Sequence, residues 1–156
     1  SIKQMLGQVD GHDGTPASDD GMDAACFWFE PTHGRLVYAG ARLSLFVLRP
    51  GANAVQDIDG QRKGVGYVDS PFDFAWQNVE LALPPNSLVF VTTDGLIDQI
   101  GGARAIAFGK RRIRELLQAH AHGTPAEVNR AMRAALRAWQ GTQHRRDDLT
   151  FFCFRT

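Results

Sequence analysis

Cysteine is scarce: the chain of 156 residues has only Cys26 and Cys153. Two thiols do not make the multi-bridge framework of a small secreted domain. Both stand inside apolar, strand-like runs, which suits buried thiols in a reducing compartment. An excess of charge is lacking too, because 17 Lys and Arg balance 17 Asp and Glu. Neutrality argues against a nucleic-acid partner held by bulk electrostatics. No run reaches the ~18–20 consecutive apolar residues of a membrane span, so no direct membrane contact is expected. Ser1 opens no signal-peptide pattern and no Met precedes it, which fits a cytoplasmic piece cut from a longer protein. At 44% hydrophobic and 22% charged, the composition excludes a disordered or collagen-like chain. Its length suits a single domain, 1–156, with a core of its own.

The pattern along the chain is strand-rich first and helical late. Ser1–Gly7 reads as the tail of a helix, and 8–20, rich in Gly and Asp, as a mobile loop. Ala24–Glu30 and Arg35–Ala39 flank the turn Pro31-Thr32-His33-Gly34, which predicts a hairpin. Leu43–Leu48 is a third strand, closed by Pro50-Gly51. From Asn53 to Ala75 the periodicity fades while glycines recur, as in a connecting or recognition segment. Gln77–Leu83 alternates as a half-buried strand, and Leu88–Val91 is wholly apolar. A helix is expected over Lys110–Ala121. A second follows the capping box of Thr124, Pro125 and Glu127 and ends at Gly141. Leu149–Phe154 is the last strand. Trp28 and Trp139 read as core, His33, His120, His122 and His144 as structural, and Lys110-Arg111-Arg112 with Arg114 as a solvated helix face.

Acidic residues stand where two apolar strands end. Asp94 follows Leu88–Val91 through Thr92-Thr93, and Asp147-Asp148 leads into Leu149–Phe154. If the strands are antiparallel neighbours, these carboxylates meet at one sheet edge. Converging carboxylates repel unless a cation or proton intervenes. Hard divalent ions favour such oxygen ligands. The alternative is plain: Asp-Gly after a strand also makes a turn, and Asp before a strand also makes a cap. Asp98, four residues beyond Asp94, is a third carboxylate if a helical turn intervenes.

These residues resemble a known family. Thr93-Asp94-Gly95-Leu96-Ile97-Asp98-Gln99, with Gly101-Gly102 and Phe108-Gly109 after it, is similar to the segment around a metal-ligand aspartate in the SpoIIE-like, PPM-type serine/threonine phosphatases. Arg146-Asp147-Asp148-Leu149-Thr150 resembles their C-terminal Asp-Asp-hydrophobic-Thr motif. Asp20-Gly21-Met22-Asp23-Ala24-Ala25-Cys26 and Leu36-Val37-Tyr38-Ala39-Gly40-Ala41 are similar to the central hairpin of bacterial members, of the SiaA-like and RsbU-like kind. Gly64-Val65-Gly66 falls where that family carries a short glycine turn.

The resemblance implies an α/β fold, a layered α-β-β-α sandwich, of which this chain supplies the C-terminal part. Family members begin with a further metal-binding Asp, a Gly-His-Gly loop and two long helices, and Asp10-Gly11-His12 matches that loop only superficially. It implies that Asp94 and Asp147 are catalytic metal ligands for two or more Mn²⁺ or Mg²⁺ ions, with Gly95 beside them. Asp98 becomes a ligand of an outer ion, Asp148 orients Asp147, and Asp20 and Asp23 lie near the site. Arg42, Arg62 and Lys63 are candidates for substrate phosphate, against the plainer reading as surface charges. The implied reaction is hydrolysis of phosphoserine or phosphothreonine by a metal-activated water, on a phosphorylated STAS-type protein. The domain would be cytoplasmic, hung in some relatives from a membrane-anchored sensor. Two other readings stand beside it: a non-catalytic, pseudophosphatase-like partner-binding domain, and a piece that forms homodimers through the face the missing helices leave open.

Overall fold

The computed structural model describes residues 19–156, so Ser1–Gly7, Asp10-Gly11-His12 and most of the 8–20 loop lie outside the described residues. The expected hairpin forms from β1 (Ala24–Glu30) and β2 (Arg35–Ala41), paired from Ala24 opposite Ala41 to Glu30 opposite Arg35. Then come β3 (Ser44–Leu48), β4 (Gln56–Ile58), β5 (Val79–Ala82) and β6 (Leu88–Thr92). A single turn, α1 (Asp94–Ile97), leads to the ribbon of β7 (Ile100–Gly101) and β8 (Ile106–Ala107). Two longer helices, α2 (Gly109–Ala119) and α3 (Pro125–Gln140), precede β9 (Phe151–Arg155).

The larger strands make two antiparallel sheets, ordered β1-β2-β5 and β4-β3-β6-β9. In the second sheet the alternation of side chains feeds two different cores. Leu45, Val47 and Val89 face the first sheet and pack with Leu36, Tyr38, Leu81 and Leu83. Phe46, Leu48, Leu88, Phe90 and Cys153 face the helices and pack with Ile113, Leu117, Val128, Met132 and Leu136. A strand buried on both faces carries no polar alternation, which explains the continuous apolar runs of β3 and β6. The described residues therefore stack as helices, sheet, sheet. The mixed α/β fold and its antiparallel sheets are as expected, and the outer helical layer of the sandwich is not among the described residues.

Local chemistry sets the element ends. The Glu127 N–H donates to Thr124 Oγ1 at 3.3 Å while Glu127 Oε2 accepts from the Thr124 N–H at 2.7 Å, a reciprocal cap. Tyr38 lies inside the intersheet core because its hydroxyl has an acceptor there, the Leu43 carbonyl, at 2.5 Å. His120 ends α2 with Nδ1 3.0 Å from the Leu116 carbonyl, the structural role expected of it.

Two expectations of burial fail, both on β1. Cys26 is exposed, whereas Cys153 is buried as anticipated. Trp28 is not core but 69% exposed. Both residues point away from the packed face, which takes Phe29 instead. Nor is the basic cluster on α2 merely solvated. Lys110 donates to Asp59 at 2.6 Å and holds that carboxyl below its usual range, Arg114 donates to Asp57 at 2.7 Å, and Arg112 lies 3.5 Å over the Trp139 ring. These contacts bind α2 to β4, to the residue that follows it and to α3.

Met132 is fully buried between α3 and the sheet. Met132→Ala is expected to cost about 2–5 kcal/mol in urea denaturation. A loss below about 1 kcal/mol would show that this helix does not close the core.

Candidate active site at the strand ends

The two acidic motifs meet because β6 and β9 are antiparallel neighbours, with Thr92 opposite Phe151. Beyond that pair the chains stay joined by one backbone bond and by the Thr93 side chain. The Thr93 N–H donates to the Thr150 carbonyl and the Thr150 N–H to Thr93 Oγ1, both at 3.0 Å. Thr93 Oγ1 also donates to the Asp148 carbonyl at 3.1 Å. Thr93 is the N-cap of α1 yet makes no side-chain cap, because its hydroxyl is spent on this neighbouring strand.

Gly95 allows the next step of the approach. It is buried, and a Cβ there would overlap the Asp148 carbonyl. The absence of a side chain thus lets the start of α1 pass against the Asp147-Asp148 backbone. The structure gives Gly95 this steric role in addition to the place beside the metal that the sequence suggested.

Asp94, Gly95, Asp98, Arg146 and Asp147 line one cavity of about 320 Å³, closed on its apolar side by Ile100 and Ala107. Asp98 ends α1 and its N–H donates to the Asp94 carbonyl at 2.8 Å, so the helical turn begins at Asp94 rather than Leu96. Asp147 Oδ1 accepts from the Asp148 N–H at 2.7 Å. Asp148 therefore braces its neighbour through its backbone. Arg62 and Lys63 do not line this cavity, and Lys63 is held by Asp69 at 2.8 Å. Arg42 does not line it either, and lies 3.7 Å from Asp23.

Asp23 belongs to this electrostatic group, more closely than the sequence indicated. Burial pushes its carboxyl above the usual range; Arg42 and Tyr67 pull the other way, and the charges of Asp94 and Asp147 add to the rise. Its Oδ1 is buried with no hydrogen-bond partner among the described residues. That oxygen lies 3.7 Å from the Arg42 guanidinium, while the negative charges of Asp94 and Asp147 still disfavour its ionisation. The donors offered are all oxygens, the type that Mg²⁺ and Mn²⁺ take. In donor chemistry the residues fit a hard divalent cation. Among the described residues, however, no three His, Cys, Asp or Glu side chains are already gathered closely enough to hold one. Sequence reasoning missed Arg146 as a lining residue and Tyr67 altogether; the only signal for Tyr67 is its place directly after the Gly64-Val65-Gly66 turn.

Because the folded Asp23 carboxyl lies above its unfolded value of 3.8, its ionisation opposes folding. That penalty is fully present above the folded value and fades as the pH falls toward the unfolded one. Asp23→Asn should therefore raise the unfolding temperature of cation-free protein at pH 7, with the gain shrinking toward pH 4. An unchanged or lower unfolding temperature at pH 7 would contradict this electrostatic picture.

The comparisons with known proteins follow the same geometry. The sequence profile of the family described as Stage II sporulation protein E (SpoIIE) matches residues 3–156. The SiaA-PP2C domain of Pseudomonas aeruginosa superposes with a TM-score of 0.82 at 32% identity, over 99% of this chain and 56% of that one. The chain thus spans little more than half of that domain. The phosphatase domain of the cell fate determinant SpoIIE from Bacillus subtilis, presoaked with Mn, gives a TM-score of 0.66 at 10% identity, over 99% of this chain and 70% of that one. The RsbU and RsbW domains of a Mycobacterium tuberculosis protein give 0.66 at 17% identity, over 98% of this chain and 39% of that one. At such identities the last two show likeness of fold alone. A search of curated protein sequences gives no significant match. The profile match over nearly the whole chain, with the paired aspartate motifs at one sheet edge, establishes that the chain belongs to the SpoIIE family.

Proposed function

We propose that the chain is the C-terminal part of a cation-dependent protein serine/threonine phosphatase. The observation that carries this reading is the convergence of Asp94 and Asp147 on one cavity across the β6–β9 pair. Asp94 and Asp147 would hold Mn²⁺ or Mg²⁺, with Gly95 at the same turn and Asp98 toward an outer ion. The manganese presoak of a fold relative agrees with that choice of metal. A bound divalent ion supplies the Lewis acidity that activates water for hydrolysis of a phosphoester.

The chain's own residues account for the rest. Asp94 and Asp147 present negative charge at fixed positions, set by strand register rather than by mobile loops. Arg146 in the cavity wall and Arg42 near Asp23 supply positive charge for the phosphoryl oxygens. Arg62 and Lys63 stand farther along the same segment, where they meet the phosphoprotein surface. No thiol nucleophile takes part. Burial pushes the Cys153 thiol up to about 11, so it is protonated at neutral pH, and neither cysteine lines the cavity. The substrate proposed is a phosphorylated STAS-type protein in a cytoplasmic signalling pathway. Among the described residues no helix is long and apolar enough to cross a membrane.

A second reading, a partner-binding domain without catalysis, draws on one observation: no ready-made group of three ligands exists among the described residues.

Phosphate release from a phosphoserine STAS-type protein separates the two. With the protein in its full natural length, release is expected with Mn²⁺ and not with EDTA. Asp94→Asn and Asp147→Asn should each lower it about 100-fold or more. Release that survives both substitutions would overturn the ligand assignment. A folded, manganese-exposed protein that releases no phosphate would favour the partner-binding reading.

A further inference from the structure

The segment after β4 closes on the hairpin entry through one side chain. The ring of Tyr67 lies between the backbones of two glycines. A Cβ on Gly21 would fall 2.5 Å from its Cγ, and one on Gly64 would overlap its Cε2. The slot is fixed by a bridge beside it, in which Met22 and Val65 each donate an N–H to the other's carbonyl at 2.8 Å. Only a residue without a side chain fits on either side of the ring, so the Gly64-Val65-Gly66 turn gains a specific purpose.

Two charged groups, one of them coupled electrostatically to Asp94 and Asp147, lie against this ring. The Arg42 guanidinium lies 4.3 Å from its centre, a cation–π contact. Arg42 is further held by its N–H on the Gln61 carbonyl at 2.8 Å and its Nε on the Arg62 carbonyl at 3.3 Å. Its φ of 64° is left-handed, which an arginine adopts only under such constraint. Its guanidinium reaches 3.7 Å from both Asp23 and Asp69. The phenol favours the ionised form of the Asp23 carboxyl. A Cβ on Gly64 would also come within 2.8 Å of Asp23 Oδ1, so ring, glycine and carboxylate are packed as one unit.

We propose that Tyr67 is a positioning residue of the site: seated between Gly21 and Gly64, it holds the Asp23 carboxylate and the Arg42 guanidinium toward Asp94 and Asp147. Asp23 then strengthens cation binding at the Asp94–Asp147 pair, and Arg42 meets the substrate dianion. The inference rests on the phosphatase reading for its substrate, and on the acidic cavity alone for its cation.

Tyr67→Phe keeps the ring and removes the hydroxyl; Tyr67→Ala removes both. The full-length protein and both variants are titrated with Mn²⁺ by calorimetry, assayed for kcat and KM on p-nitrophenyl phosphate, and melted. Tyr67→Phe is expected to keep its unfolding temperature and lose about 10-fold in Mn²⁺ affinity with KM unchanged. Tyr67→Ala should lose more Mn²⁺ affinity and also raise KM, because Arg42 loses its platform. Wild-type Mn²⁺ affinity in both variants would overturn the proposal while leaving the phosphatase reading intact. Weakened Mn²⁺ binding in a protein that hydrolyses no phosphoester would uphold Tyr67 and overturn the phosphatase. A wild-type protein that takes up no Mn²⁺ would overturn both.

Discussion

The antiparallel pairing of β6 with β9 is the constraint on which the site depends. It sets Thr92 against Phe151, and every later contact follows from that register. A shift of β9 by one residue would turn Cys153 out of the helix-side core, so burial there enforces the pairing. The Thr93–Thr150 hydrogen bonds then carry the pairing past the end of the sheet, and Gly95 lets the backbones close. The carboxylates of Asp94 and Asp147 are brought together by hydrophobic burial elsewhere. Nothing in their own interaction favours it.

That arrangement separates the source of stability from the source of function. The two cores lie on either face of the β4-β3-β6-β9 sheet. Asp94 and Asp147 lie at its end, and burial with their charges raises the Asp23 carboxyl above its usual range. An apolar scaffold with a surplus can tolerate such a group. The segment between β4 and β5 completes the arrangement. It has almost no regular structure, yet Tyr67, Ser70 and Trp76 tie it down, with Ser70 Oγ donating to the Gly64 carbonyl at 2.8 Å and Trp76 Nε1 to the Lys63 carbonyl at 3.0 Å.

How much of this could be read from the sequence depended on the range of each interaction. The hairpin at Pro31–Gly34, the Thr124 cap and the apolar runs of β3 and β6 are local signals, and the structure has all of them. The meeting of Asp94 with Asp147 was conditional on strand pairing, which the motifs of the family supported and the register bears out. Trp28 and Cys26 misled because an apolar run does not reveal which of its faces has a covering layer. Tyr67 was not legible at all, and Asp23 only as a motif residue near the site. Their roles rest on contacts between residues about 40 apart in an irregular stretch, where neither period nor turn chemistry points to a partner. The basic run on α2 was misread for the same reason, since Asp59 and Asp57, which neutralise Lys110 and Arg114, stand at the distant end of β4.

Anomalous diffraction from crystals of the protein soaked in Mn²⁺ tests the central claim most directly, because it locates the ion without reference to activity. The account predicts a peak within roughly 2.0–2.6 Å of carboxylate oxygens from both Asp94 and Asp147. A peak held by other residues, or none at this sheet edge in crystals that bind the ion elsewhere, would contradict it.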